Sequence, residues 1–204
     1  AHESADAAAQ VYLDRVAASP SAQRLTNHEL VPHWSASITV ASDPPQKTKG
    51  ADRRGWLQPR LTAHLRGVHG EVLLISPYFV PGRKGTATLL DLVRGGTRVG
   101  VVTNSLAAND VPAVHSGYER YRDRLLDGGV SLFEIRRHGP VATHGLFGSS
   151  GASLHTKAFV IDGARGFVGS FNLDPRSANL NTEMGVLFDD PGLARDLRQE
   201  YLRL

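Results

Sequence analysis

The stretch Leu154-His155-Thr156-Lys157-Ala158-Phe159-Val160-Ile161-Asp162-Gly163 decides how this chain is read, together with Gly169-Ser170-Phe171-Asn172 and Glu183 downstream. Its pattern is H-x-K, four residues, D, six residues, G-S-x-N. With average residue usage, six specified positions at one spacing arise by accident in on the order of one chain in 10⁵ of this length. Side chains alternate along an extended strand. His155, Lys157, Phe159 and Ile161 therefore share one side, and Leu154, Thr156, Ala158 and Val160 the other. Asp162-Gly163 is a hairpin turn signal between Val160-Ile161 and Phe167-Val168.

An imidazole two residues from an ammonium, facing the same way, suits a phosphate. The cation neutralises phosphoryl oxygens, and the imidazole attacks phosphorus or moves a proton. The return strand ends at Ser170 and Asn172, where a hydroxyl, an amide and exposed backbone N–H groups can line the same site. A neutral imidazole needs an orienting partner to hold one tautomer. Glu183, at the head of the apolar run 184–188, is the carboxylate expected to accept a hydrogen bond from His155. Alone, each of these residues has an ordinary structural explanation. Their joint spacing is what separates them from the other histidines and lysines.

This spacing resembles the HKD signature of the phospholipase D superfamily. Leu73-Leu74-Ile75-Ser76-Pro77-Tyr78-Phe79-Val80-Pro81-Gly82 is similar to the core strand and "PYF-P" loop of bacterial cardiolipin synthase-like proteins. Residues 101–106 and 110–122 resemble the next strand, loop and helix, and residues 174–183 the segment after the motif. The similarity spans roughly residues 36 to 204 and is strongest to the C-terminal half of a two-motif enzyme. It implies an α/β fold: a phospholipase D-like mixed β-sheet with helices on both faces, in a single domain with one HKD motif. It implies transfer of a phosphatidyl group between phospholipids through a phosphohistidine. His155, Lys157, Asp162, Asn172 and Glu183 form the implied catalytic set, with Asp162 mainly holding the motif's backbone. Ser170, Asn104 and His115 are the implied substrate contacts, and Tyr78 and Phe79 are expected to be wall or core. No metal or other cofactor is implied, because Lys157 and its counterpart supply the positive charge.

The chain departs from the two-motif pattern by carrying a single copy. None of His2, His28, His33, His64, His69, His115, His138 or His144 starts another such motif. The family chemistry uses two imidazoles, so a second motif-bearing half is expected, in the same native chain or as a homodimer mate. Two other readings follow from the same residues. One is a phosphodiesterase or nuclease built from two identical chains, and the other a phosphate- or membrane-binding fragment without turnover. Little aromatic interleaving accompanies the basic residues, so nucleic acid is not an expected partner.

The 204 residues carry a formal charge of +3 and a pI near 9.4, compatible with an anionic substrate or surface. Cysteine is absent, which excludes disulfides and thiolate metal sites. His64 and His69 lie five apart on a helical stretch and do not share a face for zinc. No apolar run approaches the ~20 residues that span a bilayer. Membrane contact is therefore expected to be peripheral, on the bacterial cytoplasmic side, while Arg53-Arg54 and Arg136-Arg137-His138 read as solvated charge. Residues 1–49 are expected to be a helix (3–18), a loop (19–35), a short strand (37–41) and a Pro-containing linker (42–49), left from an upstream half. The phospholipase D-like domain is expected over 50–204. Its elements are helices over 56–68, 86–94, 115–127 and 192–202, and strands over 72–78, 98–103, 130–135 and 183–188. The motif hairpin and a glycine-rich segment, 138–152 with Leu146 and Phe147, complete it.

Overall fold

Apolar runs of four to seven residues, broken by Gly and Pro, become strands here, and the 3.6-residue patterns between them become helices. The computed structural model describes residue 10 and residues 13–14, 17–18, 20–29, 34–35, 37–50, 52–109, 111–135 and 154–204. The segment 138–152 with Leu146 and Phe147, and Arg136-Arg137-His138, lie outside them, as do Asp110 and most of residues 3–18. Two compact units divide between Ser35 and Ala36. In the first, Gln10, Leu13, Asp14, Ala17 and Ala18 are helical. Helix α1 (Pro20–Thr26) occupies part of the expected loop. Pro20 is its first residue, a position where a missing N–H costs nothing and a fixed φ helps, so the proline did not mark a break.

The second unit runs in the order β1 (Ile38–Ser42), α2 (Leu57–His64), β2 (Glu71–Ile75), α3 (Gly82–Arg94), β3 (Arg98–Asn104), α4 (Pro112–Asp127) and β4 (Ser131–Ile135). It continues with β5 (Lys157–Ile161), β6 (Arg165–Gly169), α5 (Pro175–Asn179), β7 (Met184–Asp189) and α6 (Pro191–Arg203). The sheet order is β1-β7-β6-β5-β2-β3-β4. Strands β2, β3 and β4 are parallel, and the remaining pairings are antiparallel.

Alternation sorts the core onto both faces. Val72, Leu74, Val99, Val101, Phe159, Ile161 and Phe167 pack with Leu57 and Leu61 of α2, Leu89 and Leu90 of α3, and Tyr118 and Leu125 of α4. Leu73, Ile75, Val102, Val160 and Phe188 meet Ala194 and Tyr201 of α6 on the other face. Each Val, Leu, Ile or Phe among them taken fully from water stabilises the fold by about 1.5–3 kcal/mol. This is the expected mixed sheet with helices on both faces.

The expected linker 42–49 is instead part of this unit. Strand β1 pairs with β7, and the segment after it buries Asp43 and Lys47. The boundary between compact units thus precedes β1 rather than following Lys49. The pair's side chains are 0% exposed and joined at 2.7 Å, which the Pro- and Lys-rich composition concealed.

Two glycines are required by a close approach. Gly169 and Gly185 face each other across β6 and β7, with the Phe167 ring over the pair. A Cβ on either would lie 2.5 Å from Phe167 Cζ. Gly185→Ala is therefore expected to lower stability by about 1–3 kcal/mol through overpacking, seen as a lower melting temperature with the fold retained.

Candidate active site

The antiparallel register gathers the motif at one end of the sheet. Lys157, first residue of β5, lies opposite Gly169, last residue of β6, and Gly169 lies opposite Gly185. The chain entering β5 (His155, Thr156), the chain leaving β6 (Ser170–Asn172) and the chain entering β7 (Glu183) thus run side by side. The carboxyl ends of β2 and β3 finish at the same end. There the Ser76 Oγ accepts from the Leu173 N–H at 3.0 Å, and the Val80 N–H donates to the Leu173 carbonyl at 2.7 Å. The 76–81 loop is thereby tied to the turn that bears Asn172. Phe79 is core at 1% exposure, as expected, and Tyr78 is half-buried.

His155 is exposed and Lys157 is buried beneath it, with Nζ 2.5 Å from the His155 carbonyl oxygen. An ammonium held in the wall below an accessible imidazole can meet phosphoryl oxygens while the ring reaches phosphorus or an alkoxide. Asn172 is buried, and its side-chain oxygen has no hydrogen-bond partner. Its backbone N–H donates to Ser177 Oγ at 3.3 Å. A buried polar atom without a partner is costly in a packed protein and marks a place made for something else.

Glu183 departs from expectation. Its carboxylate accepts from Ser170 Oγ, from Ser177 Oγ at 2.8 Å and from Asn181 Nδ2 at 3.2 Å. Among the described residues no hydrogen bond joins it to His155. It ties three segments of the turn together rather than orienting the imidazole. Ser170 is fixed by the same carboxylate and by the Met184 N–H, which donates to its Oγ at 3.0 Å.

Asn104, at the end of β3, donates from Nδ2 to the Leu154 carbonyl at 3.2 Å and accepts the Leu154 N–H at 3.0 Å. It holds the residue before His155 by both backbone groups. His115, near the start of α4, is 7% exposed. Its Nε2 is 3.4 Å from Glu119 Oε1, its ring stands edge-on to Tyr118, and its Nδ1 is buried without a partner.

Asp162 lies at the other end of β5, about 17 Å along the strand from Lys157. Its carboxylate accepts N–H groups from His69 (3.1 Å), Gly70 (2.8 Å) and Glu71 (2.9 Å), and its own N–H donates to the Glu71 carbonyl at 2.9 Å. It pins the hairpin to the entry of β2, a structural task away from the imidazole. Partial burial pushes its carboxyl up, but the backbone donors and Arg165 outweigh that and hold it below the ordinary 3.8. Beside it Glu71 is buried between Arg98, at 3.3 Å, and Arg198.

Sequence reasoning missed Asp43, Lys47 and Glu71, whose partners lie far along the chain. The only local signal was the i,i+4 spacing of Asp43 and Lys47. His64 tilts against Phe159 at 6.3 Å, and no group of three potential metal-binding His, Asp or Glu residues occurs among the described residues.

The sheet order and the clustered polar end are those of a phospholipase D-like domain. The chain belongs to the family of cardiolipin synthase phospholipase D-like domains, whose model matches residues 61–204. It is similar to cardiolipin synthase C of Escherichia coli K12, with 42% identity over 203 residues, covering 97% of this chain and 43% of that protein. Cardiolipin synthase B of the same strain is 32% identical over 128 residues, covering 63% of this chain and 27% of that protein. The chain thus spans less than half the length of these relatives. Among solved structures it is similar in fold to Nuc of Salmonella typhimurium, a phospholipase D family member (TM-score 0.56, 17% identity, 82% of this chain and 92% of that one). Phosphatidylserine synthase of Haemophilus influenzae Rd KW20 gives TM-score 0.57 at 18% identity, over 81% of this chain and 38% of that one.

Asp162 also sets a pH dependence. A carboxyl held below its unfolded value stabilises the fold above that value and ceases to do so as pH falls through the folded one. Its φ of 53° is one that asparagine tolerates, so Asp162→Asn keeps the backbone while removing the charge and one of the two oxygens that accept the His69, Gly70 and Glu71 N–H groups. The variant should melt lower at pH 7 and show a shallower loss of melting temperature below pH 4. An unchanged acid limb would mean that Asp162 contributes no net charge stabilisation.

Proposed function

We propose that this chain supplies one of two HKD half-sites for phosphodiester transfer on phospholipids. The observation that carries the reading is the convergence of His155, Lys157 and Asn172 at one end of the sheet, in a chain of the cardiolipin synthase family. In the first step an imidazole nitrogen of one half attacks phosphorus, a P–N bond forms and the P–O bond to the leaving alcohol breaks. The imidazole of the other half gives that alkoxide its proton. In the second step the acceptor hydroxyl gives its proton to that imidazole, its oxygen bonds to phosphorus, and the P–N bond breaks to free the attacking histidine. Where the companion half lies earlier in the same native chain, His155, as the later of two motifs, takes the general acid/base role. Lys157 and the Asn172 amide meet the charge that grows on the phosphoryl oxygens.

The companion half comes from the same native chain or from a homodimer mate, and contact with the lipid surface is peripheral, on the cytoplasmic side. Among the described residues no helix is long and apolar enough to cross a membrane.

The test is turnover in the catalytically active assembly on phospholipid vesicles and on a chromogenic phosphodiester. His155→Asn should abolish turnover with the fold intact, and wild-type turnover in that variant would overturn the reading. Lys157→Met should lower kcat by about 10²–10³ with a smaller change in KM, the pattern of a donor used in the transition state. Molar mass and turnover measured on one sample of this chain address completeness. A strict monomer should be inactive or nearly so, and robust monomer activity would place the second catalytic group within these residues.

A further inference from the structure

Lys47 and Asp43 lie outside every motif above, yet their bonds converge on one short segment. The Lys47 ammonium donates to Asp43 Oδ2 at 2.7 Å, to the Ser177 carbonyl at 2.7 Å and to the Asn181 carbonyl at 2.8 Å. An ammonium has three protons, and each therefore has an acceptor. Its Nζ also sits 5.1 Å from the centre of the Trp56 ring, within cation–π range. Asp43 completes the clamp. Its Oδ2 accepts the Glu183 N–H at 3.0 Å, its N–H donates to the Glu183 carbonyl at 2.8 Å, and its Oδ1 accepts the Leu57 N–H at 2.8 Å.

The two residues thus hold both backbone groups of Glu183 and the carbonyls of Ser177 and Asn181. Ser177 and Asn181 are also the residues whose side chains donate to Glu183 Oε1. Ser177 Oγ in turn accepts the Asn172 N–H, and Glu183 Oε2 accepts from Ser170. One chain of contacts therefore runs from a buried pair after β1, through Ser177, Asn181 and Glu183, to Ser170 and Asn172 at the candidate site. A pair meant only to fill the core would have no reason to direct so many bonds at this turn. Burial keeps both charges from relaxing into water, so the geometry they impose is stiff.

We propose that Asp43 and Lys47 are positioning residues of the phosphodiester site: a buried ion pair that sets where Glu183 sits and, through it, the orientation of Ser170 and Asn172. This rests on the function proposed above. Neither residue touches the reacting atoms. Their effect is on the placement of groups that meet the transition state, and misplacement of about 1 Å by a distant change can cost ~10² in rate.

The experiment compares Lys47→Met, Lys47→Arg and Leu125→Ala in the active assembly, with His155→Asn alongside. Leu125 is a fully buried α4 core residue whose truncation loosens the fold away from this network. Each folded variant is assayed well below its melting temperature. Lys47→Met is expected to lower kcat about 10–100-fold with KM changed less than about threefold. Lys47→Arg keeps the charge but cannot match three acceptors with a planar fork, and is expected to fold and lose kcat to a lesser degree. Leu125→Ala is expected to lose stability while keeping kcat. Wild-type kcat in a folded Lys47→Met, or an equal loss in Leu125→Ala, overturns the positioning role. Survival of turnover in His155→Asn overturns the site reading instead, so the two failures are distinct. Native-state hydrogen exchange of the wild type decides independently of how the variants fold. The Glu183 amide, bonded to buried Asp43, must exchange as slowly as the β5 core, and exchange at an exposed-loop rate overturns the clamp.

Discussion

The pairing of Lys157 with Gly169, and of Gly169 with Gly185, is the constraint on which the rest depends. Side chains alternate with a period of two, so a slip of one residue in β5 would carry Lys157 to the other face and move Phe159 from the core under α2–α4 to the face packed by α6. The same register places Phe167 over the glycine pair and stacks it on Phe159 at 5.5 Å. Core packing and the assembly of the candidate site are thus one decision. The phenylalanines cannot be seated correctly without also bringing residues 155, 170, 172 and 183 to one end of the sheet.

At that end the polar groups divide into those that are satisfied and those that are not. Glu183, Ser170, Ser177 and Asn181 bond to one another and to backbone. Asn104 is occupied with Leu154. The Asn172 side-chain oxygen and His115 Nδ1 are buried without partners. The first group is a frame, and the second is where a bound molecule can still gain hydrogen bonds. Glu183 belongs to the frame, its carboxylate taken up by Ser170, Ser177 and Asn181.

Most of the sheet was legible because its strands are short apolar runs bounded by Gly and Pro, and because α3 and α4 stop at Gly-Gly while α6 starts at Asp-Pro. The Lys157 face and the Asn172 turn followed from spacing alone. The resemblance assigned Asp162 to the motif's backbone, and its carboxylate meets the His69, Gly70 and Glu71 N–H groups at the far end of β5, a position no spacing conveys. Pro20 and the Asp43–Lys47 segment were not readable. Proline at a helix start looks the same in sequence as proline in a loop. Asp-Pro-Pro followed by lysines looks like a solvated connector. Lys47 is buried because of carbonyls 130 and 134 residues away, and no local window contains that information. Glu71 is hidden for the same reason, since Arg198 stands 127 residues further on. The expected Glu183–His155 bond failed on competition, because two serines and an amide stand nearer to the carboxylate.

The two ends of the sheet are held by electrostatics of opposite character. Around Glu71 the partners are largely in solvent, with the Arg98 side chain 78% exposed, so dissolved ions weaken that grip. Asp43 and Lys47 have no exposed side-chain surface, and dissolved ions do not reach between them. Rising ionic strength therefore loosens the molecule asymmetrically. The edge near the β5–β6 hairpin gives way first, while the end that carries Lys157, Asn172 and Glu183 keeps its shape.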